Sequence, residues 1–154
     1  MLSWQFKHFN DLSLNEFHDI IALRISIFVV EQNCPYQELD GKDKNAYHLI
    51  CKNQNKEVVG SLRVLSPGVS YDEVSLGRIV LNPKERGKQQ GHQMMNKAME
   101  FIKKEFGNVS IRLSGQKHLE EFYNTHNFKS ISKEYLEDGI PHVLMEYTPK
   151  KTTL

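Results

Sequence analysis

The stretch VLNPKERGKQQGHQMM, Val80–Met95, holds the sharpest change of pattern in the chain. Before it, VSLGRIVL (Val74–Leu81) is an apolar, β-branched run that stops at Asn82-Pro83, as a strand does. After it, Met94, Met95, Ala98, Met99, Ile102 and Phe106 fall on one helical face, and Gln93, Asn96, Lys97, Glu100, Lys103 and Lys104 on the other. This predicts a helix from about Gly91 to Phe106, ended by Gly107-Asn108. Two glycines, Gly87 and Gly91, sit with Arg86 and Lys88 between strand and helix. An ordinary surface turn is one reading of that crowding. A phosphate cradle is the other: a helix start leaves backbone N–H groups unpaired, carries partial positive charge, and with glycine lets an anion come close. The stretch is neither a P-loop, since His92-Gln93 follows Gly91, nor a GxGxxG loop.

Working outward, WQFKHF alternates as a first strand, and Ser13 with Glu16 forms a capping box, with Leu12 and Phe17 at the staple positions. That helix is predicted to run towards Phe28 and to end near Asn33-Cys34-Pro35, before a turn-rich loop. Tyr47–Lys52 and Val58–Leu65 flank the turn NQNK as a hairpin. Beyond the central helix come a strand VSIRL, a short helix HLEEFYNTH closed by Asn127, and two strands, Lys129–Leu136 and His142–Tyr147, about the turn EDGIP. The order β-α-ββ-β-α-β-α-ββ implies a single α/β domain over residues 1–148, with a short tail at 149–154.

A formal charge of +1 and the lack of a basic, aromatic-studded strand speak against nucleic-acid or membrane binding. No run approaches the roughly 18 apolar residues of a span, and no signal-peptide pattern opens the chain, so a cytoplasmic protein is expected. Its two cysteines, Cys34 and Cys51, are then expected as reduced thiols; neither has the spacing of a zinc ligand, and no metal is expected.

The strand, proline turn and Arg86–Gly91 loop resemble the acyl-CoA-binding motif of the GNAT superfamily of N-acetyltransferases, a [Q/R]-x-x-G-x-[G/A] loop opening a helix. Arg86 and Gly91 match it, while Gln89 stands where the middle glycine is usual. EFYNTHNF (Glu121–Phe128) is similar to another family signature, a Tyr followed five residues on by Phe. LRISIFVVEQNCPYQELDG and EDGIPH resemble one branch, the ElaA-type acetyltransferases. The resemblance covers nearly the whole chain. It implies a GNAT fold: a mixed, mostly antiparallel sheet of about seven strands, splayed between the fourth and fifth, with helices on both faces. It also implies acetyl-CoA as co-substrate. Ile79, Val80 and Leu81 would meet the pantetheine through their backbone, Arg86, Gly87, Lys88, Gln89, Gln90, Gly91 and His92 would surround the pyrophosphate, and Gln116 would touch the cofactor. Tyr123 sits at the family's general-acid position, and the backbone N–H of Val80 is the expected oxyanion donor.

The implied reaction is direct attack of an amine on the thioester, with Tyr123 protonating the departing thiolate. A core-facing aromatic is the structural alternative for Tyr123. For the base, Glu31, Glu73, His48, His142 or a water chain qualify by chemistry alone. The loop Cys34–Lys44 and the turn Asp138–His142 are expected to border the acceptor site, where Glu38, Asp40 and Asp43 would attract a cationic amine or form a solvated acidic loop. The acceptor, a small-molecule or peptide amine, stays open, as does monomer against homodimer. Rival readings are a non-catalytic acyl-CoA-binding or sensing module, an acyl-homoserine-lactone synthase and a nucleic-acid-binding domain.

Overall fold

In the computed structural model, which describes residues 1–150, β1 (Ser3–His8) leads into α1 (Leu14–Ile25) through a complete capping box. Ser13 Oγ accepts from the Glu16 N–H and Glu16 Oε1 accepts from the Ser13 N–H, both at 3.0 Å. Two orphan donors of the helix start are thereby satisfied. The first helix runs past Phe28, but its last turn, Ser26–Glu31, widens to π-helix. After a long loop come β2 (Ala46–Lys52), β3 (Val58–Leu65) and β4 (Val74–Leu81), then α2 (Gln90–Phe106) and β5 (Ile111–Gln116). The chain ends with α3 (Glu120–Asn124), β6 (Phe128–Ser130), β7 (Tyr135–Glu137) and β8 (Ile140–Tyr147). Of the expected tail, residues 151–154 lie outside the described residues.

The sheet has eight strands in the order β1-β2-β3-β4-β5-β8-β6, with β7 also paired to β8. The expected strand Lys129–Leu136 is two short ones, β6 and β7, separated around Ser132, whose Oγ accepts from the Leu144 N–H at 3.0 Å. The fifth strand begins at Ile111 rather than Val109. Asn127 takes the left-handed conformation expected of it, with φ 68°. No helix among the described residues is long and apolar enough to cross a membrane.

One core lies between the sheet and α2: Met94, Met95, Ala98 and Ile102 are buried against Leu62, Leu76, Leu113 and Met145. Full burial of each large side chain stabilises the fold by about 1.5–3 kcal/mol. On the other sheet face Leu23 and Ile27 of the first helix cluster with Val80. Leu76 and Val80 thus serve opposite faces although they lie four residues apart, an even spacing that would keep them on one face of a regular strand. The cause is an extra residue. Ser61 opposes Val80 and Arg63 opposes Gly77, so Arg78 and Ile79 share one place opposite β3. Arg78 sits there at φ 48°. This β-bulge turns the end of β4 over and away from its neighbour. β5 accordingly pairs with β4 only from Val74 to Leu76 and then follows β8.

The loop before β2 is fastened by ions. Arg24, 1% exposed, donates to Glu38 at 2.5 Å and to Asp43 at 2.8 Å. Arg63 donates to Asp40 at 2.6 Å and to Asp43 at 3.1 Å, and Arg78 to Glu38 at 2.9 Å. Of the three carboxylates expected to draw in an amine, Glu38 and Asp43 are therefore buried in ion pairs, and Asp40, exposed at the surface, is paired with Arg63 and Arg78. Burial alone would raise the carboxyl of Asp43, but Arg24 and then Arg63 outweigh it and hold it below 3.8. Asp40, likewise penalised by burial, is brought well below that value by Arg63, the Lys42 N–H and Arg78.

Removing one partner of such a network leaves buried charge unbalanced. Arg24→Leu should lower the unfolding free energy by about 3 kcal/mol in urea; an unchanged midpoint would show the network to be stability-neutral. Because Asp40 and Asp43 have depressed folded pKa values, their contribution is present above 3.8 and is lost as pH falls through the lowered folded values. In Arg24→Leu the loss at Asp43 should begin at higher pH.

Candidate active site

Where β4 leaves β5, a cleft of about 690 Å³ opens between them. Its first wall is the outer edge of β4, Gly77–Leu81, which β5 no longer covers. The Asn82 N–H donates to Val59 O at 2.7 Å, so the even-numbered residues at this end of β4 turn their N–H groups to β3. Val80 therefore faces Ser61 with its N–H, whereas Ile79 and Leu81 turn theirs to the opening. This corrects the expectation for Val80: hydrogen-bond phase, invisible in the sequence, moves the available donor to its neighbours.

The loop leaving β4 is held in place before α2 begins. The Asn82 side chain accepts from the Lys84 N–H at 3.0 Å and starts a short turn at Pro83–Glu85. Arg86 donates through Nε to Leu81 O at 3.2 Å and pairs with Glu31 at 2.8 Å. Gly87 has φ 79° and Gln89, the N-cap residue of α2, φ 63°. Gln89 thus keeps the left-handed backbone that a glycine adopts freely, and its side chain caps nothing. The first N–H groups of α2 have no side-chain cap, and Gly91 brings them to one end of the cleft. Arg86 and Gly91 line the cleft; Gly87, Lys88, Gln89, Gln90 and His92 do not. His92 is turned to α3, with Nδ1 2.9 Å from His126 Nε2 and its ring against Phe122.

The opposite wall carries Gln116 and Tyr123. Gln116 pairs its amide with that of Gln32 at 3.3 Å in both directions. Gln32 follows the π-helical turn, which also puts Ile27, Phe28 and Glu31 on the cleft. Tyr123 is 5% exposed and lies flat against Gly115 of β5: a Cβ there would come within 3.0 Å of its ring. Burial pushes the Tyr123 hydroxyl above its ordinary value of 10, so it stays protonated at neutral pH.

The four base candidates separate. Glu73 pairs with Arg112 at 3.1 Å and is not a cleft residue. His48 is fully buried outside the cleft, bonded to Asp43 O at 3.0 Å, and burial lowers its pKa. Glu31 reaches the cleft but is held by Arg86. His142 lines the cleft; its Nδ1 donates to Ile140 O at 2.7 Å, which leaves Nε2 as the basic nitrogen, 3.4 Å from Glu137 Oε2. Gln32 and Glu137 lie within the two branch-like stretches without a predicted role, and Arg78 lies in neither. The one hint of Arg78 in the sequence is its place on the otherwise apolar side of VSLGRIVL.

A strand that leaves its neighbour beside an uncapped, glycine-flanked helix start is the arrangement expected of the GNAT fold. Comparison with known proteins agrees. Residues 18–149 match the acetyltransferase (GNAT) domain, and the chain belongs to that family. It is 36% identical to protein ElaA of Escherichia coli over 148 residues, 94% of this chain and 95% of that one. The crystal structure of E. coli ElaA superposes with a TM-score of 0.89 at 34% identity, covering 96% of this chain and 99% of the other. An acyl-CoA N-acyltransferase from Pseudomonas aeruginosa superposes at 0.91 with 37% identity, covering 96% and 100%.

Gln89 in a left-handed conformation costs about 1 kcal/mol relative to glycine. Gln89→Gly should raise thermal stability by a few degrees and leave acyl-CoA affinity within about twofold. A lower melting temperature would mean that the Gln89 side chain supports the loop.

Proposed function

We propose that the protein transfers an acetyl group from acetyl-CoA to an amine, with both substrates bound together. The observation that carries this reading is the bulge-driven opening of β4, which points free backbone donors along a cleft ending at the uncapped start of α2. Leu81 would pair with the pantetheine amide as a missing strand neighbour would. The N–H groups of Gly87–His92 would hold the pyrophosphate, with Arg86 released from Glu31 to join them. Ile79, rather than Val80, would supply the oxyanion donor from its N–H.

The amine loses its proton to His142 Nε2, and the resulting imidazolium is steadied by Glu137. The neutral amine attacks the thioester carbon, the C–S bond breaks and the thiolate takes the Tyr123 proton; the second proton, shed by the nitrogen as the amide forms, passes to the Tyr123 oxygen, and His142 returns its own to solvent. Because burial raises the Tyr123 pKa, its proton moves together with C–S cleavage, not ahead of it. The products are the N-acetyl amine and free CoA. The unpaired thiols of Cys34 and Cys51, the latter pushed up to about 12 by burial, accord with the reducing cytoplasm.

Tyr123→Phe removes one hydroxyl and keeps the ring on Gly115. It should lower kcat by roughly a hundredfold or more with little change in acetyl-CoA affinity. An unchanged kcat would leave Tyr123 as a core aromatic. Acetyl-CoA binding with no turnover by the wild type on any amine would favour a sensing module.

A further inference from the structure

On the acceptor side of the cleft two buried polar atoms have no partner: Arg63 Nε and Ser75 Oγ. Their residues are 4% and 2% exposed. Both residues line the cleft, and so does Gly77. The three are neighbours by register, since Arg63 is paired with Gly77, and Ser75 lies two residues before Gly77 on the same side of β4. A Cβ on Gly77 would meet only Arg63 Nε, at 4.0 Å. A glycine here leaves the Nε–H uncovered where any other residue would overlay it.

Arg63 is held through both terminal nitrogens by Asp40 and Asp43, so its position is fixed and its Nε–H is a donor that cannot turn elsewhere. Leaving such a group buried and unpaired is costly. Its complement is an oxygen. The nearby Lys42, which donates to Ser70 at 2.8 Å, and Arg78 add further donors, and the Asp40 carboxylate beside them is paired with Arg63 and Arg78. A polyamine, protonated throughout, is donor-only and leaves Arg63 Nε unpaired.

Resting on the acetyltransferase reading, we infer that the acceptor is an amine carrying a carbonyl-type oxygen, bound by Arg63 Nε and Ser75 Oγ, and not a polyamine. A lysine residue with its own carbonyl and a peptide N-terminus with an inner one both carry such an oxygen; the shared chemistry is an amine and a carbonyl group in one molecule.

Initial rates with acetyl-CoA should be compared for Nα-acetyl-lysinamide, trialanine and cadaverine, the last being the lysine chain without its carbonyl. Either carbonyl-bearing amine should exceed cadaverine by at least about tenfold in kcat/KM, a hydrogen bond's worth; whichever leads tells side-chain from N-terminal amines. Ser75→Ala and Gly77→Ala should each raise the acceptor KM by about tenfold with kcat little changed. Ser75→Ala should also melt no lower than wild type, since it removes an unpaired hydroxyl, whereas a purely structural role would lower the melting temperature. Cadaverine as the best acceptor, turnover of none of the three by protein that binds acetyl-CoA, or a preference untouched by both variants would overturn the inference. Failure to bind acetyl-CoA, measured separately by calorimetry, would instead overturn the reading beneath it.

Discussion

The bulge at Arg78 is the constraint on which the rest of the structure depends. Without an extra residue there, Leu76 and Val80 would lie on one face, and β4 would stay paired with β5 to its end. With it, the first half of β4 feeds the core under α2 and the second half reaches the first helix through Val80. The same displacement frees the Ile79 and Leu81 N–H groups and opens the cleft. A left-handed φ at an arginine is unfavourable by about 1–2 kcal/mol, and the surroundings must hold it.

They do so through the ion network. Glu38 accepts from both Arg24 and Arg78, and Asp40 from Arg63 and Arg78. Arg78 also lies over the Tyr36 ring, 5.5 Å from its centre. Fold and cleft are thereby coupled: the loop that lines the cleft with Cys34, Tyr36 and Asp40 is the loop that fastens the bulge. The acidic residues of that loop are structural cement, and what they leave over for a ligand is a donor, Arg63 Nε.

Much of this was legible in the sequence because it is local. The Ser13–Glu16 capping box, the apolar face of α2, the Tyr47–Leu65 hairpin and the Asn127 cap each follow from neighbours along the chain. What was not legible depends on partners across the sheet. The Val80 donor failed because hydrogen-bond phase is set by register with β3. The base candidates, alike on paper, separate only once His48 is buried, Glu73 is paired with Arg112, and His142 reaches the cleft. The last hairpin divides into short pieces because Ser132 bonds back to Leu144. Gln89 is instructive in the other direction: the side chain departs from the family motif while the backbone keeps its shape.

If acyl-CoA binds as proposed, its pyrophosphate lies at the start of α2, at one end of the cleft. Gly91 tests that placement directly, because a Cβ there meets only the Phe122 ring, at an ordinary 3.4 Å, and a carboxylate in the first helical turn favours the helix. Gly91→Glu should therefore fold as well as wild type while placing bulk and negative charge at the proposed pyrophosphate position. Calorimetric titration with acetyl-CoA should show micromolar binding by the wild type and a loss of at least about a hundredfold in the variant. Equal binding by both, or no binding by folded wild-type protein, would contradict the account.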